Sequence, residues 1–256
     1  MNSLWDSRPI RFSTYAAGLL IGAVLWEYFG GKVNPSYGAP LSATAKRFIF
    51  LVSNGQLQDA VLGSLQLYFV GFISAVLAAS LFGLLMSRLN YLRVGFENYI
   101  MLLYATPMIA MVPFIKSVLE IGFAAKFTVV FLFGFFPVLY NTLEGARSVK
   151  PEMVEVAKSF RSGEFALWRD LLIPHTVPFI LTGIRQGAGR ALVGVVAAEF
   201  LISSSGLGGL IQDQQGKYSM SGVFASITVL TAMGLLLMWI GRVLENRMAA
   251  WRGLNR

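Results

Sequence analysis

The sequence predicts an all-α polytopic membrane protein with six transmembrane helices and a cytoplasmic helix-turn-helix between the fourth and the fifth. Of its 256 residues, 55% are hydrophobic and only 13% are charged, whereas soluble domains carry about 25% charged residues. A chain of this length cannot bury that much apolar surface in a core of its own. The lipid bilayer is therefore the solvent that this composition fits.

Composition also excludes several kinds of site. The absence of cysteine excludes disulfides, thiolate zinc sites and a cysteine nucleophile, and the single histidine argues against a His-rich metal site or a Ser-His-Asp hydrolase. We therefore predict no catalytic residue, no metal and no other cofactor. The net charge of +8 is typical of cytoplasmic loops in a membrane chain, so no nucleic-acid partner is expected.

Runs of uncharged apolar residues predict the spans. A bilayer core needs about 20 helical residues, and two runs, near 60–87 and 218–241, exceed this length. Three shorter runs have aromatic flanks that suit the membrane interface. One further run is interrupted by Arg185, Arg190 and Glu199, but its apolar halves also need burial. The predicted spans lie at about 13–29, 64–87, 98–115, 127–143, 178–202 and 219–241.

Basic residues predict the orientation of these spans. In a six-span chain with both termini on one side, most of the 21 Lys and Arg residues fall on the side of the termini. Because cytoplasmic loops carry an excess of Lys and Arg, this side is assigned to the cytoplasm.

The connection between the fourth and fifth spans is the most informative segment for predicting function. It runs from Glu144 to Pro174, whereas helices of a bundle are commonly joined by about 2 to 8 residues. A helix is predicted from Pro151, Ser162-Gly163 interrupts it, and a second apolar stripe ends at Pro174. The first helix has an apolar face formed by Met153, Val156, Ala157 and Phe160. This pattern fits either an interfacial helix without a protein partner or a docking element for a cytosolic protein.

Segment 151–174 resembles the EAA loop of permease subunits of binding-protein-dependent ABC importers. The pattern of that loop is Glu-Ala-Ala, three residues, Gly, nine residues and Ile-x-Leu-Pro. The residues that match in spacing are Glu155, Ala157 and Pro174. Arg161 occupies the glycine position, and Gly163 follows two residues later. If the glycine makes the turn between two short helices, we expect Gly163 to take over that role.

Other segments resemble the nitrate, sulfonate and taurine branch of these permeases. They are Thr106-Pro107 to Pro113-Phe114, Phe136-Pro137 to Asn141-Thr142, 145–151 and 198–208. The resemblance covers about residues 65–252. It implies a transport subunit, not an enzyme, that forms the path for a small solute, such as a sulfonate, nitrate or an aromatic carboxylate.

The same resemblance implies the partners and the location. The partners are two cytosolic ABC ATPase subunits, a second copy of the permease in a homodimer, an extracytoplasmic solute-binding protein and membrane lipid. ATPase coupling falls to Glu155, Ala157, Arg161, Gly163 and Pro174. The location is the bacterial cell (inner) membrane, multi-pass, with both termini cytoplasmic. The chain has no G-x-x-x-x-G-K-[ST] phosphate loop, which agrees with a separate ATPase.

Polar groups inside the spans are candidates for the translocation path. Arg185 and Arg190 are candidates to supply positive charge to an anion path. The alternative for Arg185 is that its side chain snorkels to the membrane surface, and the alternative for Arg190 is a structural ion pair. Glu199 is expected to tether a neighbouring helix or loop rather than to bind substrate. Thr106 and Asn141 either line a cavity or serve packing near their prolines.

Two glycine runs have expected structural roles, and one alternative function is considered. Run 183–190 is expected to let helices approach closely, and run 206–209 is expected to form a flexible outer turn. The alternative function is a stand-alone secondary transporter or channel. It needs facing acids within the spans, and only Glu199 qualifies.

Overall fold

The computed structural model describes residues 8–249, and the side chains of residues 14–89 and 91–243. The elements in that part of the chain are all helical, which confirms the all-α prediction. They are α1 (Arg8–Lys32), α2 (Leu41–Ser53), α3 (Gln56–Arg88), α4 (Asn90–Ala105), α5 (Met108–Leu119), α6 (Phe123–Arg147), α7 (Pro151–Ser159), α8 (Glu164–Leu167), α9 (Ile173–Leu201), α10 (Gly206–Gly216) and α11 (Met220–Ala249). The predicted cytoplasmic ends include residues 1–7 and 250–256, which lie outside the described residues.

Three of these helices are long and apolar enough to cross a bilayer: α3, α6 and, over Met220–Val243, α11. Two bent helix pairs meet the same requirement when each pair counts as one span, namely α4 with α5 and Glu164–Leu201 with α10. The described part of the chain therefore supports three to five spans. Helix α1 covers the predicted span 13–29, and its crossing, like the total of six, stays a prediction.

The predicted third span, 98–115, is not one continuous helix. Helices α4 and α5 meet at an angle of 97°, because a proline disfavours helical backbone in the preceding residue and Thr106 is accordingly extended (φ −69°, ψ 134°). The Thr106 N–H donates to the carbonyls of Leu102 and Leu103, and its hydroxyl donates to the Leu102 carbonyl at 2.9 Å. These bonds satisfy the end of α4 and leave a sharp corner inside the span.

Glycines on α9 bring this helix into close contact with α6. A Cβ atom on Gly183 would lie 2.9 Å from the Cα of Val138, and one on Gly187 would lie 3.0 Å from the Gly134 carbonyl oxygen. In lipid, such small residues let backbones approach and gain van der Waals contact. The close packing predicted for run 183–190 is thus confirmed at two of its glycines.

Pro174 does not end a helix, contrary to the sequence prediction. A π-helical turn, Trp168–Leu172, joins α8 directly to α9, and Pro174 lies in the first turn of α9. The Ile173 N–H donates to the Trp168 carbonyl, five residues back. This wider turn accommodates the proline ring, which would otherwise clash with a carbonyl of the preceding α-helical turn. The chain from Glu164 to Leu201 is therefore helical throughout.

We expect Gly183→Ala to destabilise the protein by about 1 to 3 kcal/mol, because the added methyl group forces α6 and α9 apart. Gly189→Ala is the matched control, since nothing lies within 4 Å of a Cβ atom there. The control is expected to change stability by no more than about 1 kcal/mol, in the favourable direction. Thermal unfolding of the detergent-purified proteins measures both, and equal melting temperatures for the two variants would contradict this packing.

Candidate functional site: a cavity at mid-depth

A cavity of about 460 Å³ lies at the corner between α4 and α5. Its lining comes from the corner itself, from residues 132, 133, 136 and 137 of α6, and from Arg190 and Val193 of α9. At 1.5 Å per residue, the α6 positions lie about 14 to 21 Å from the start of that helix. They are therefore near the middle of a bilayer core that is about 30 Å thick.

Arg190 places one positive charge on the cavity wall. Its guanidinium carbon lies 5.0 Å from the centre of the Tyr104 ring, and Tyr104 in turn stacks on Tyr140 with a centroid distance of 5.3 Å and an interplanar angle of 4°. Among the described residues, no carboxylate lies within ion-pair distance of Arg190. Within one copy of the chain, this geometry favours a charge available to a ligand over a structural ion pair.

Thr106 and Asn141, the other two polar candidates, have different positions. Thr106 lines the cavity. Asn141 lies one turn beyond Pro137 on α6, where its amide donates to the Pro137 carbonyl at 2.8 Å and to the Gln186 amide oxygen at 3.3 Å. Thr106 is thus brought together with Arg190, whereas Asn141 links α6 to α9 beside the cavity.

Arg185 lies on a different side of α9 from Arg190. Five residues of helix separate their side chains by about 140° around the axis, and Arg185 lines a second, apolar cavity of about 290 Å³ between α3, α9 and α11. That cavity is formed largely by hydrophobic side chains such as Phe69, Ile73 and Leu237. The structure therefore does not bring the two arginines to one site.

Glu199 is buried in a tether at the start of α10. Its carboxylate accepts hydrogen bonds from the Ser64 hydroxyl at 2.7 Å and from the Gly208 N–H at 2.8 Å. Ser64 also accepts a bond from the Leu207 N–H at 2.9 Å. Two N–H groups at the first turn of α10 are satisfied in this way, and the negative charge lies at the positive end of the helix. Glu199 is not among the residues that line the mid-depth cavity.

The glycine run 206–209 is the first turn of α10, so the prediction of a flexible outer turn is wrong. Gly206 has a positive φ of 62°, and a Cβ atom there would overlap the Glu199 carboxylate. A Cβ atom on Gly208 would approach the Glu199 side chain as well. These glycines therefore make room for the buried carboxylate, a role that glycine spacing alone does not reveal.

The turn after α7 is made by Arg161 and not by Gly163. Arg161 has a positive φ of 56°, whereas Gly163 has an ordinary extended backbone (φ −69°, ψ 165°). The Arg161 N–H donates to Lys158 and the Ser162 N–H donates to Ala157, which is the Schellman pattern that usually ends in glycine. The expectation that Gly163 takes over the glycine role is therefore wrong.

Helix α7 and the start of α8 expose apolar side chains. The exposed fractions are 52% for Met153, 53% for Val156, 82% for Phe160 and 76% for Phe165 of α8. These four residues are called the loop face below. Glu155 is exposed on α7 as well, and Ala157 is half-buried.

Polar contacts fasten this connection to the ends of the long helices. Glu164 forms an ion pair with Arg88 at the end of α3, and Arg147 at the end of α6 pairs with Glu97 of α4. His175 contacts the Ser148 hydroxyl through Nε2 at 2.9 Å. The loop face is therefore presented from a connection that is anchored on both sides.

Known proteins resemble this chain over most of its length. The sequence profile of the family described as "Binding-protein-dependent transport system inner membrane component" matches residues 71–250. A probable ABC transporter permease protein of Brucella abortus is 30% identical over 207 residues, covering 81% of this chain and 83% of that protein. The putative aliphatic sulfonates transport permease protein SsuC of Bacillus subtilis is 30% identical over 242 residues, covering 92% and 87%.

A solved structure supports the fold. The crystal structure of an amino acid ABC transporter with histidines superimposes with a TM-score of 0.63 at 18% sequence identity. The match covers 78% of this chain and 98% of that chain.

Replacing Arg161 with glycine is expected to stabilise the end of α7 by about 1 kcal/mol, because glycine adopts the left-handed conformation without the steric cost of a Cβ atom. Amide hydrogen exchange in α7 should then slow about fivefold. Arg161→Ala keeps the Cβ atom and removes the charge, so it should give no such gain. Equal exchange rates in these two variants would show that the backbone conformation of residue 161 carries no strain.

Proposed function

Because the chain belongs to the family of inner membrane components of binding-protein-dependent transport systems, we propose that it forms the translocation path of an ABC importer for a small organic or inorganic anion. Partner ATPase subunits drive the transport, and a solute-binding protein delivers the solute. The single observation that carries the anion path is the Arg190 guanidinium, which lies on the wall of a mid-depth cavity without a carboxylate partner among the described residues. A cation in such a position offsets the cost of removing an anion from water.

The loop face supports docking of a cytosolic ATPase. An apolar stripe with exposed fractions of 52% to 82% is costly in water and fits a hydrophobic groove on a partner. Two ATPase subunits engage the loops of two permease copies in this proposal, one loop each. Glu155 is exposed on the same helix but well off this stripe, and its charge sets the register of docking in this proposal. Both termini are then cytoplasmic, on the same side as the loop.

The mechanism that we propose is alternating access, and the continuous helical segment between the loop and the cavity supports it. ATP closes the two ATPase subunits and draws the loops of the homodimer together. The helical segment Glu164–Leu201 begins next to the loop face and carries Arg190, so a tilt imposed at its start reaches the cavity. The cavity then opens to the docked binding protein, and release of phosphate returns it to the cytoplasmic side.

The surroundings of Glu199 count against a stand-alone secondary transporter. Such a transporter needs an acid that faces the path and exchanges protons or ions. Glu199 is buried, accepts bonds from Ser64 and Gly208, and does not line the mid-depth cavity. It therefore supports the proposed importer better than the alternative.

Glu155→Lys is expected to weaken association with the ATPase about tenfold, because the reversed charge opposes the register of docking. Glu120→Lys makes the same charge reversal at an exposed residue between α5 and α6, at the other end of α6 from the loop, and should bind nearly as well as the parent. Affinity purification of the co-expressed complex, with the yield of folded permease measured separately, gives the comparison. Undiminished ATPase association of the Glu155 variant would count against this role.

Arg190→Gln is expected to lower ATP-driven uptake into proteoliposomes at least about tenfold while the complex still assembles. Arg185→Gln makes the same change on the same helix but at the other cavity, and uptake should stay near the parent rate. If the Arg190 variant instead fails to assemble, a structural ion pair with the second copy is indicated. If both variants transport at the parent rate, the anion path through this cavity is refuted.

A further inference from the structure

The mid-depth cavity offers polar contacts on one part of its wall only. Arg190 and the hydroxyl of Thr106 are its polar side chains besides Tyr104, and the Thr106 hydrogen is already donated to the Leu102 carbonyl. The remaining lining includes Met108, Phe133 and Phe136. A small inorganic anion such as nitrate has acceptor oxygens on every side, and those that face the apolar wall would lose their hydrogen bonds to water without replacement.

The stack of Arg190, Tyr104 and Tyr140 shows where a charged group is accommodated. A guanidinium that lies over an aromatic face keeps its in-plane N–H donors free for a carboxylate or a sulfonate. The Tyr140 ring stacks on Tyr104 with a centroid distance of 5.3 Å. The charge thus lies over the Tyr104 ring, and the hydrogen-bonding edge of the guanidinium is available to a ligand.

The volume of the cavity suits an organic molecule. About 460 Å³ falls within the range of about 300 to 1,000 Å³ that is typical of small-molecule sites. A three-oxygen inorganic ion fills only a small part of that space. A ring with one acidic group fills more of it and presents planar faces to the aromatic lining.

We propose that this cavity selects organic monoanions with a planar apolar body, and that Tyr104 positions the group that binds their acidic end. The acidic group, a carboxylate or a sulfonate, binds Arg190, and the body packs against the aromatic wall. Tyr104 acts by holding the guanidinium in its stacked position. The inference rests on the proposed function, which it narrows from small anions in general to aromatic carboxylates and sulfonates.

Equilibrium binding of labelled benzoate to the full chain in nanodiscs tests this proposal. Benzenesulfonate and benzoate are expected to compete with similar strength, whereas nitrate and the neutral isostere benzamide should each compete at least about tenfold more weakly. Similar competition by the two acids shows that the site accepts either acidic group. Nitrate that competes as well as benzoate, or the absence of binding by both aromatic acids, would overturn the proposal.

Variants locate the binding in this cavity. Arg190→Gln and Tyr104→Leu should each weaken benzoate binding at least about tenfold, whereas Tyr104→Phe keeps the stacked ring and should retain it. Arg185→Gln should bind like the parent, and thermal unfolding checks that each variant is folded. Benzoate binding that survives in the folded Arg190 and Tyr104→Leu variants would contradict the assignment.

The outcome is separable from that of the proposed function. If aromatic acids do not bind but the chain still associates with an ATPase and supports ATP-driven uptake, the importer stands and the substrate class is wrong. If benzoate binds as described but no ATPase associates, the cavity assignment stands and the importer is wrong.

Discussion

The close contact between α6 and α9 is the constraint on which the rest of the structure depends. Lipid gives helices no hydrophobic drive to associate, so the contact relies on glycines that let the two backbones approach. Gly183 and Gly187 allow this approach, and Arg190 of α9 then lies over the Tyr104 ring, which stacks on Tyr140 of α6. The same helix continues back to the loop face. One helix pair thus connects the cavity to the docking element.

The charges of α9 differ in how the surrounding chain uses them. Glu199 accepts hydrogen bonds from donors on α3 and α10 and has a structural role. Arg190 has aromatic neighbours and an open cavity, whereas Arg185 borders an apolar cavity beside α3 and α11. Polar groups inside a bilayer pair with a protein group or face a ligand or water. Glu199 is of the first kind, and Arg190 is the candidate for the second.

Sequence patterns predicted the helical class, three long spans and the helix that begins at Pro151, since these depend on local composition and on helical periodicity. They did not predict the helix through Pro174, because the π-helical turn that accommodates the proline leaves no mark in the hydropathy pattern. Sequence patterns also did not identify the hydrogen-bond partners of Glu199, because Ser64 lies 135 residues away in the chain. Likewise, the left-handed conformation of Arg161 opposes the intrinsic preference of residues that carry a Cβ atom. For Arg190, the sequence indicated a buried charge but not the Tyr104 and Tyr140 stack.

Cysteine accessibility tests most directly whether the exposure of the mid-depth cavity alternates, since the chain has no cysteine of its own. A single Thr106→Cys variant, assembled with its ATPase in vesicles, is treated with a membrane-impermeant thiol reagent from either side. Alternating access predicts labelling from the cytoplasmic side without nucleotide and from the outer side with bound ATP. Leu77→Cys, on an exposed position of α3, serves as a lipid-facing control that stays unlabelled. Labelling of residue 106 that is independent of nucleotide and of side would contradict alternating access.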